Sequence, residues 1–586
     1  MCGIAGLVMA PGAPPPTAAT LAALAAALAH RGPDGAGHSV VGRTALVHTR
    51  LAIVDVAGGD QPFFAGPATL VANGEIYNDP ALRRTMPATA FTTLSDCEPP
   101  LHLWLRDGAD YAASLRGMFA IAIHDRAQRN VILTRDPFGI KPLYTALVGG
   151  GLAFASEPRA LLEAGLVPRG VRPAARDELL QMQFTTGADT IFPGIQRVLP
   201  GETLRIADGH VLDRTRIAAL PEGGPETIGE DAALARLERA LMESVEAHQR
   251  SDVPYGMFLS GGIDSAAILA CMARLNSERI VAYTAGFDAP GAADERTQAA
   301  AVAKSVGARH ETLEINETMV WRHLPEIVAC MDDPAADYAI IPSWFLARHA
   351  RPDVKVILCG EGGDEIFAGY GRYRSAMRPW WPGGRLMRGR GTFDKLDVLR
   401  TPPVGWRDGL QASEGAAALP GRTRLQAAQA TDMADWLPHD LLLKLDRCLM
   451  AHGIEGRTPM LDPAVAAAGF RLPDALKVQD GRGKWLLRKW LERAMPAARP
   501  FAPKQGFTVP IGAWIAGQGA RLGPLVASQP GVAEIAHPDR VAALFRAASG
   551  RREGFAAWAL LFYALWHRAH VEARAPGGNV FEALGD

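Results

Sequence analysis

The second residue of this chain is a cysteine, in the run MCGIAGLV. Trimming of the initiator methionine would leave Cys2 carrying a thiol and a free α-amine together. The thiolate is the reactive form of cysteine, and a free thiol near pKa 8.5 is mostly protonated at neutral pH. An α-amine titrates at about 7.7–8, so about a tenth or more of it is neutral at pH 7 and can serve as an adjacent base. Position 2 also tolerates an ordinary small buried cysteine. The rest of the chain must decide between the two readings.

Two further segments carry chemistry. The apolar stretch YGMFL runs into SGGIDS, Ser260 to Ser265, and then into an Ala/Leu-rich helix. Such a strand–glycine turn–helix junction presents unpaired N–H groups and a helix dipole to an anion. The spacing matches neither G-x-x-x-x-G-K-[ST] nor G-x-G-x-x-G, which disfavours a Walker-type NTPase and a Rossmann dehydrogenase. GEGGDEIFAGY, Gly360 to Tyr370, follows another apolar stretch, VKVILCG. Its carboxylates Glu361, Asp364 and Glu365 would stand at the carboxyl end of a strand, where open parallel sheets bind ligands. Clustered acids there suit Mg²⁺ and a cationic substrate group.

Near the first cysteine the sequence supplies companions. Asn73-Gly74-Glu75 offers an amide side chain and a glycine N–H, donors suited to an oxyanion, although Asn-Gly alone is commonly a turn. Arg50 could pair with a substrate α-carboxylate and Asp96 with an α-ammonium.

These residues need scaffolds. Residues 1–212 read as short strands with turn punctuation (TALVHTRLAIVD, ATLVANGEIYN, MFAIAIHD, NVILTRD), as half-buried antiparallel strands would. They are joined by one amphipathic helix, TAATLAALAAALAH, with Thr17 as its cap and Leu21, Leu24 and Leu28 along one stripe. The pattern predicts a layered α+β domain. AALPEGGPETIG, at 218–229, has no periodicity and reads as a linker. Strand–helix alternation follows through RIVAYTAGF and VKVILCG, which predicts a parallel α/β sheet, and the chain from about 395 is mainly helical.

A length of 586 residues predicts two or three domains. The net charge of −1 leaves no electrostatic footprint for nucleic acid or an anionic membrane, and RLMRGRG at 385–391 reads as solvated loop. Six cysteines without a CxxC pair argue against a disulfide framework or structural zinc. The run FAAWALLFYALW is too short to span a bilayer and reads as a buried helix. No secretory signal is visible, so the expectation is a reduced, cytoplasmic enzyme without membrane or nucleic-acid partners.

SGGIDS resembles the pyrophosphate loop of N-type ATP pyrophosphatases. MCGI, RGPD (31–34), HTRLAIVD (48–55), NGEIYN (73–78), SDCE (95–98) and RDPFGIKPLY (135–144) resemble the class II glutamine amidotransferase domain. With KLDRCLMAHGIEGRTPMLD (444–462), KWLLRKW (484–490) and PKQGFTVPIGAW (503–514), the order resembles the glutamine-hydrolysing asparagine synthetase family over nearly the whole chain.

That resemblance implies an Ntn-type αββα sandwich over 2–212, a linker at 213–228 and an ATP-pyrophosphatase domain with a helical C-terminal part over 229–586. It implies glutamine hydrolysis through a Cys2 thioester, with Asn73 and Gly74 as oxyanion hole. Glutamine contacts carry over to Arg50, Leu51, Ala52, Ile53, Val54, Asn73, Gly74, Glu75 and Asp96. ATP and Mg²⁺ would convert a carboxylate into an acyl-adenylate that ammonia, delivered through an internal apolar channel, then attacks. Leu259, Ser260, Gly261, Gly262, Asp264, Ser265, Ala285, Cys359 and Gly360 would contact ATP, with Asp264 and Asp364 on Mg²⁺. Glu361 would serve adenylate formation and the attacking ammonia, and Lys504 the charge on the phosphates. The partners are small molecules, and a homodimer is compatible with the sequence.

Departures from the family pattern are Leu94, Pro99-Pro100, Ala285, Cys359 and Gly456, the last expected near the acceptor pocket. Aspartate is the leading acceptor. A peptide, sugar acid or natural-product precursor is the close rival. A silent binding protein on the same fold is disfavoured by the joint presence of Cys2, SGGIDS and GEGGDE.

Overall fold

Alternation of apolar and polar residues with period two gives each N-terminal strand two faces, and both faces are covered. The computed structural model describes residues 2–288, 295–378, 387–503 and 509–585. Two six-stranded antiparallel sheets form first. One runs Ile195–Arg197, Tyr144–Val148, Gly151–Ala155, Gly3–Met9, Thr44–Arg50 and Gly35–Val41 in spatial order. The other runs His210–Arg216, Glu202–Ala207, Asn130–Arg135, Gly117–Asp125, Ala68–Ile76 and Phe63–Ala65.

Ile4 and Val8 point inward with Leu46 and Phe154 to meet Val71, Ala120, Leu133 and Leu204 of the facing sheet. Ala5 and Leu7 point the other way, to Leu21, Leu24 and Leu28 of the helix Ala18–Leu28. The Thr17 side chain accepts from the Thr20 amide at 3.2 Å, capping that helix as the sequence predicts. On the outer face of the second sheet the helix Pro99–Asp107 brings Leu101 and Trp104 onto Leu70, Ala72, Ile121 and Ile123. The result is an Ntn-type αββα sandwich. The two prolines open that helix, where their missing N–H groups cost nothing.

The C-terminal half is built on a five-stranded parallel sheet ordered Arg309–Ile315, Val281–Phe287, Tyr255–Phe258, Val356–Leu358, Glu455–Arg457. The first of these strands in the chain, Tyr255–Phe258, lies in the middle. The chain therefore winds to one side, then crosses back to the other, leaving a crevice at the carboxyl ends where the direction switches. The edge strands Arg309–Ile315 and Glu455–Arg457 are not evident from sequence. The first is charged and half-exposed, and the second is three residues long.

The run FAAWALLFYALW lies inside the helix Arg551–His570, with every residue after the half-buried Phe555 buried. Its Trp558 and Trp566 indoles donate to the carbonyls of Ala336 and Asp332 at 2.7 and 3.2 Å, which pins the segment 332–336. Among the described residues no helix is long and apolar enough to cross a membrane. The Trp566 side chain is fully buried, so Trp566→Ala should cost about 3–5 kcal/mol of stability, read by urea denaturation.

Candidate active sites

Cys2 sits at the start of the central strand Gly3–Met9, buried. Burial pushes its thiol above the ordinary range, while the Leu51 amide hydrogen-bonded to the sulfur pulls it down. The Cys2 nitrogen donates to Asn73 Oδ1 at 3.1 Å. That leaves Asn73 Nδ2 buried with no partner, an N–H donor on the side chain that binds the Cys2 nitrogen and suited to a developing oxyanion. Gly74 follows in the strand Ala68–Ile76, paired with Phe119. A Cβ there would overlap the Met118 carbonyl, so only glycine fits.

The remaining predicted glutamine contacts surround this point. Leu51, Ala52 and Ile53 are buried and Val54 half-buried. The Arg50 guanidinium donates to the carbonyls of Val56 and Asp55 at 3.0 and 2.6 Å and to the Asp60 carboxylate at 2.8 Å. Asp60 is 80% exposed, so Arg50 already holds a displaceable carboxylate. Asp96 accepts from the Ile76 amide at 2.7 Å, and burial raises its carboxyl to about 6. Glu75 is buried and raised well above the usual carboxylate range, chiefly by burial and by Asp96. Leu94, by contrast, points into solvent, so that departure leaves the pocket untouched.

The second site lies at the carboxyl ends of the parallel strands. Ser260 to Ser265 closes through its own hydroxyls: the Ser260 amide donates to Ser265 Oγ at 3.2 Å and the Gly262 amide to Ser260 Oγ at 3.1 Å. The Gly261 amide donates to a carboxylate oxygen of Glu295 at 3.3 Å, so this N–H of the loop points at a carboxylate of the chain itself. Leu259, Ala285 and Cys359 are buried at neighbouring strand ends.

Asp264, in the first turn of the helix Ile263–Leu275, and Asp364 converge on one ammonium, that of Lys484. Burial opposes that charge, but the two carboxylates outweigh it and hold Lys484 protonated. The glycines of GEGGDEIFAGY make the convergence possible. A Cβ on Gly363 would overlap the Asp264 carboxylate, and one on Gly369 would overlap Asp364 and Lys484. Glu361 stands beside this group, raised by burial, within the field of Lys444, whose Nζ binds Asp337 at 2.7 Å. Glu365 accepts from Tyr370 Oη at 2.6 Å and is raised to about 8 by burial and Asp364. Among the described residues no group of three or more His, Cys, Asp or Glu gathers to hold a metal.

Some expectations change. Gly456, expected near the acceptor pocket, lies on the edge strand with Leu445 and Leu449 at 3.1 Å from where its Cβ would stand, so its smallness also serves helix packing. RLMRGRG is not all solvated loop, because the Arg388 guanidinium stacks 3.7 Å from the Trp436 ring. Its first two residues, and Lys504, lie outside the described residues. Lys484 opens KWLLRKW, and nothing local marks it. It enters the site from a left-handed backbone conformation at the start of the helix Trp485–Ala494. All six cysteines carry free thiols.

An Ntn-type half with a buried cysteine at position 2, joined to a parallel-sheet half with a strand–glycine–helix junction, defines a glutamine amidotransferase coupled to a synthetase. The Glutamine amidotransferase domain profile matches residues 1–216 and the Asparagine synthase profile residues 236–568. The chain is 35% identical to the "Putative asparagine synthetase (glutamine-hydrolyzing)" of Mycobacterium tuberculosis, with 98% of each chain covered. It is 31% identical to "Asparagine synthetase (glutamine-hydrolyzing) 1" of Bacillus subtilis over 93% of each, and 30% identical to "Amidase chyE" of Penicillium rubens over 59% of this chain and 54% of that one. The chain belongs to the glutamine-hydrolysing asparagine synthetase family of ATP-dependent carbon–nitrogen ligases.

Gly369→Ala should displace Asp364 and Lys484 and lower ATP-dependent turnover by about 100-fold, with glutamine hydrolysis retained. Pyrophosphate release and glutamate formation, measured in parallel, check both halves of that outcome.

Proposed function

We propose that this enzyme hydrolyses glutamine at Cys2 and uses the ammonia to amidate an adenylated carboxylate, with aspartate as the acceptor. The observation that carries this reading is the presence in one chain of a buried Cys2 bonded through its nitrogen to Asn73, whose amide Nδ2 is unpartnered, and of a separate strand–glycine–helix loop whose Asp264 meets Asp364 and Lys484.

Arg50 would hold the glutamine α-carboxylate in place of Asp60, and Asp96 the α-ammonium. With Met1 removed, the α-amine at Cys2 takes the thiol proton as sulfur attacks the side-chain amide carbon. Asn73 Nδ2 and the Gly74 amide stabilise the oxyanion. Collapse expels ammonia, which leaves with that proton, and water then releases glutamate from the thioester.

In the second site the pyrophosphate portion of ATP lies on Ser260–Ser265, with Leu259, Ala285, Cys359 and Gly360 about the nucleoside. An acceptor carboxylate oxygen attacks the α-phosphorus and pyrophosphate leaves. Ammonia attacks the acyl carbon, AMP leaves, and Glu361 takes the surplus proton. Two hard carboxylates on one cation fit Mg²⁺ bound with substrate phosphates; Asp264 and Asp364 would hold the ion, which would neutralise phosphate charge. Six free thiols support a reducing, cytoplasmic setting.

Purified enzyme given ATP, glutamine and aspartate should form asparagine, AMP and pyrophosphate in equal amounts. Glutamate release without asparagine would reassign the acceptor, and ADP in place of AMP would overturn adenylation. Cys2→Ala should abolish glutamine use and retain synthesis from added ammonia, whereas Asp264→Ala should do the reverse.

Asp96 must be ionised to attract an ammonium. With its carboxyl at about 6, protonation at lower pH removes that attraction, so KM for glutamine should rise as pH falls below about 6. Asp96→Asn should raise KM at all pH values and abolish this limb, as a pH series of glutaminase kinetics would show.

A further inference from the structure

Two residues of the C-terminal half reach the glutamine site, and the chemistry above uses neither. The Arg31 guanidinium is fully buried. Its Nε donates to the Cys2 carbonyl at 3.2 Å, and its Nη1 donates to Glu157 at 2.6 Å. Nη1 and Nη2 together grip both oxygens of Asp446 at 2.8 and 3.0 Å. A two-pronged arginine–carboxylate pair fixes the plane of the guanidinium as well as its position. Asp446 thereby aims the Arg31 Nε–H at the carbonyl of the residue that carries the nucleophile.

A second contact runs alongside. Arg457 Nη2 donates to Glu75 at 3.0 Å, next to the Asn73-Gly74 pair. Arg457 is itself locked by Glu455 at 2.6 Å and by the carbonyls of His248 and Arg250 at 2.9 and 2.6 Å. The helix Leu442–Met450, which carries Asp446, also carries Lys444 beside Glu361 and Arg447 on Asp332 at 2.6 Å.

We infer that Asp446 is a positioning residue of the glutaminase site, acting through Arg31, with Arg457 steadying Glu75 beside it. The site that releases ammonia is completed by the half that consumes it. This inference rests on reading Cys2 as the glutaminase nucleophile. The competing role for Asp446 is charge compensation alone, since it also accepts from Arg447 at 2.8 Å.

Asp446→Asn keeps the side chain's size and removes the charge that orients the fork. In the full-length enzyme, kcat for glutamine hydrolysis should fall by about tenfold or more. KM for glutamine should stay within about twofold, because Arg50 and Asp96 are untouched. Ammonia-dependent synthesis in the same preparation should also stay within about twofold. Arg31→Lys tests the link from the other side and carries the experiment if Asp446→Asn does not accumulate as folded protein. The double variant should be no slower than the worse single, as residues acting through one contact are non-additive.

A glutaminase kcat within twofold of wild type would overturn the assignment. So would equal losses in the glutamine and ammonia reactions, or losses that multiply in the double variant. A wild-type enzyme that releases no glutamate would instead overturn the glutaminase reading, and this link with it.

Discussion

An arginine stripped of water is tolerated only where carboxylates and carbonyls take over its hydrogen bonds. The contact between the two halves of this protein is built on that condition. Arg31, Arg197, Arg447 and Arg457 are all buried there, facing Glu157, Asp446, Asp333, Asp332, Glu75 and Glu455. Several pairs join residues more than a hundred positions apart. Asp333 binds Arg197 at 2.7 Å through both oxygens, and the Tyr144 hydroxyl donates to it at 2.9 Å. Removing one member of such a pair leaves an uncompensated buried charge, a loss of about 3–5 kcal/mol. The halves are held in one arrangement because any other would strand these charges.

That arrangement matters for a small, reactive product. Ammonia that escapes to water is protonated and ceases to be a nucleophile, so the proposed transfer of ammonia from one half to the other calls for a contact closed to bulk solvent. Charged groups can line such a contact when they are paired. Lys141 shows the balance: it is fully buried, its ammonium lies 3.4 Å from the Gly456 carbonyl, and burial lowers its basicity while Glu455 and Asp446 oppose the shift.

Each site also depends on glycine for close approach. Gly74 lies against the Met118 carbonyl, and Gly363 and Gly369 lie against Asp264, Asp364 and Lys484. At Gly74 the missing Cβ lets the neighbouring strand close in, and at Gly363 and Gly369 it lets the functional side chains do so. The same economy explains Gly456, whose bare Cα accepts Leu445 and Leu449 of the helix that carries Asp446.

The linear sequence was sufficient for the elements with strong local signals. Period-two strands, the Thr17-capped helix, the strand–glycine–helix junction at Ser260 and the buried helix near the C-terminus all follow from spacing and residue type, because their causes lie within a few residues. The family motifs likewise carried the candidate residues, from Cys2 and Asn73 to Asp264 and Asp364. The short edge strand Glu455–Arg457 was invisible because three residues hold no period. Lys484, Asp446 and Arg457 lie within KWLLRKW and KLDRCLMAHGIEGRTPMLD, but nothing in those segments marks what they pair with. Their roles come from partners far away in sequence: Asp446 lies 415 residues from Arg31 and Arg457 lies 382 from Glu75. Local patterns report which groups are present; only the folded chain decides which charges must share a water-free space.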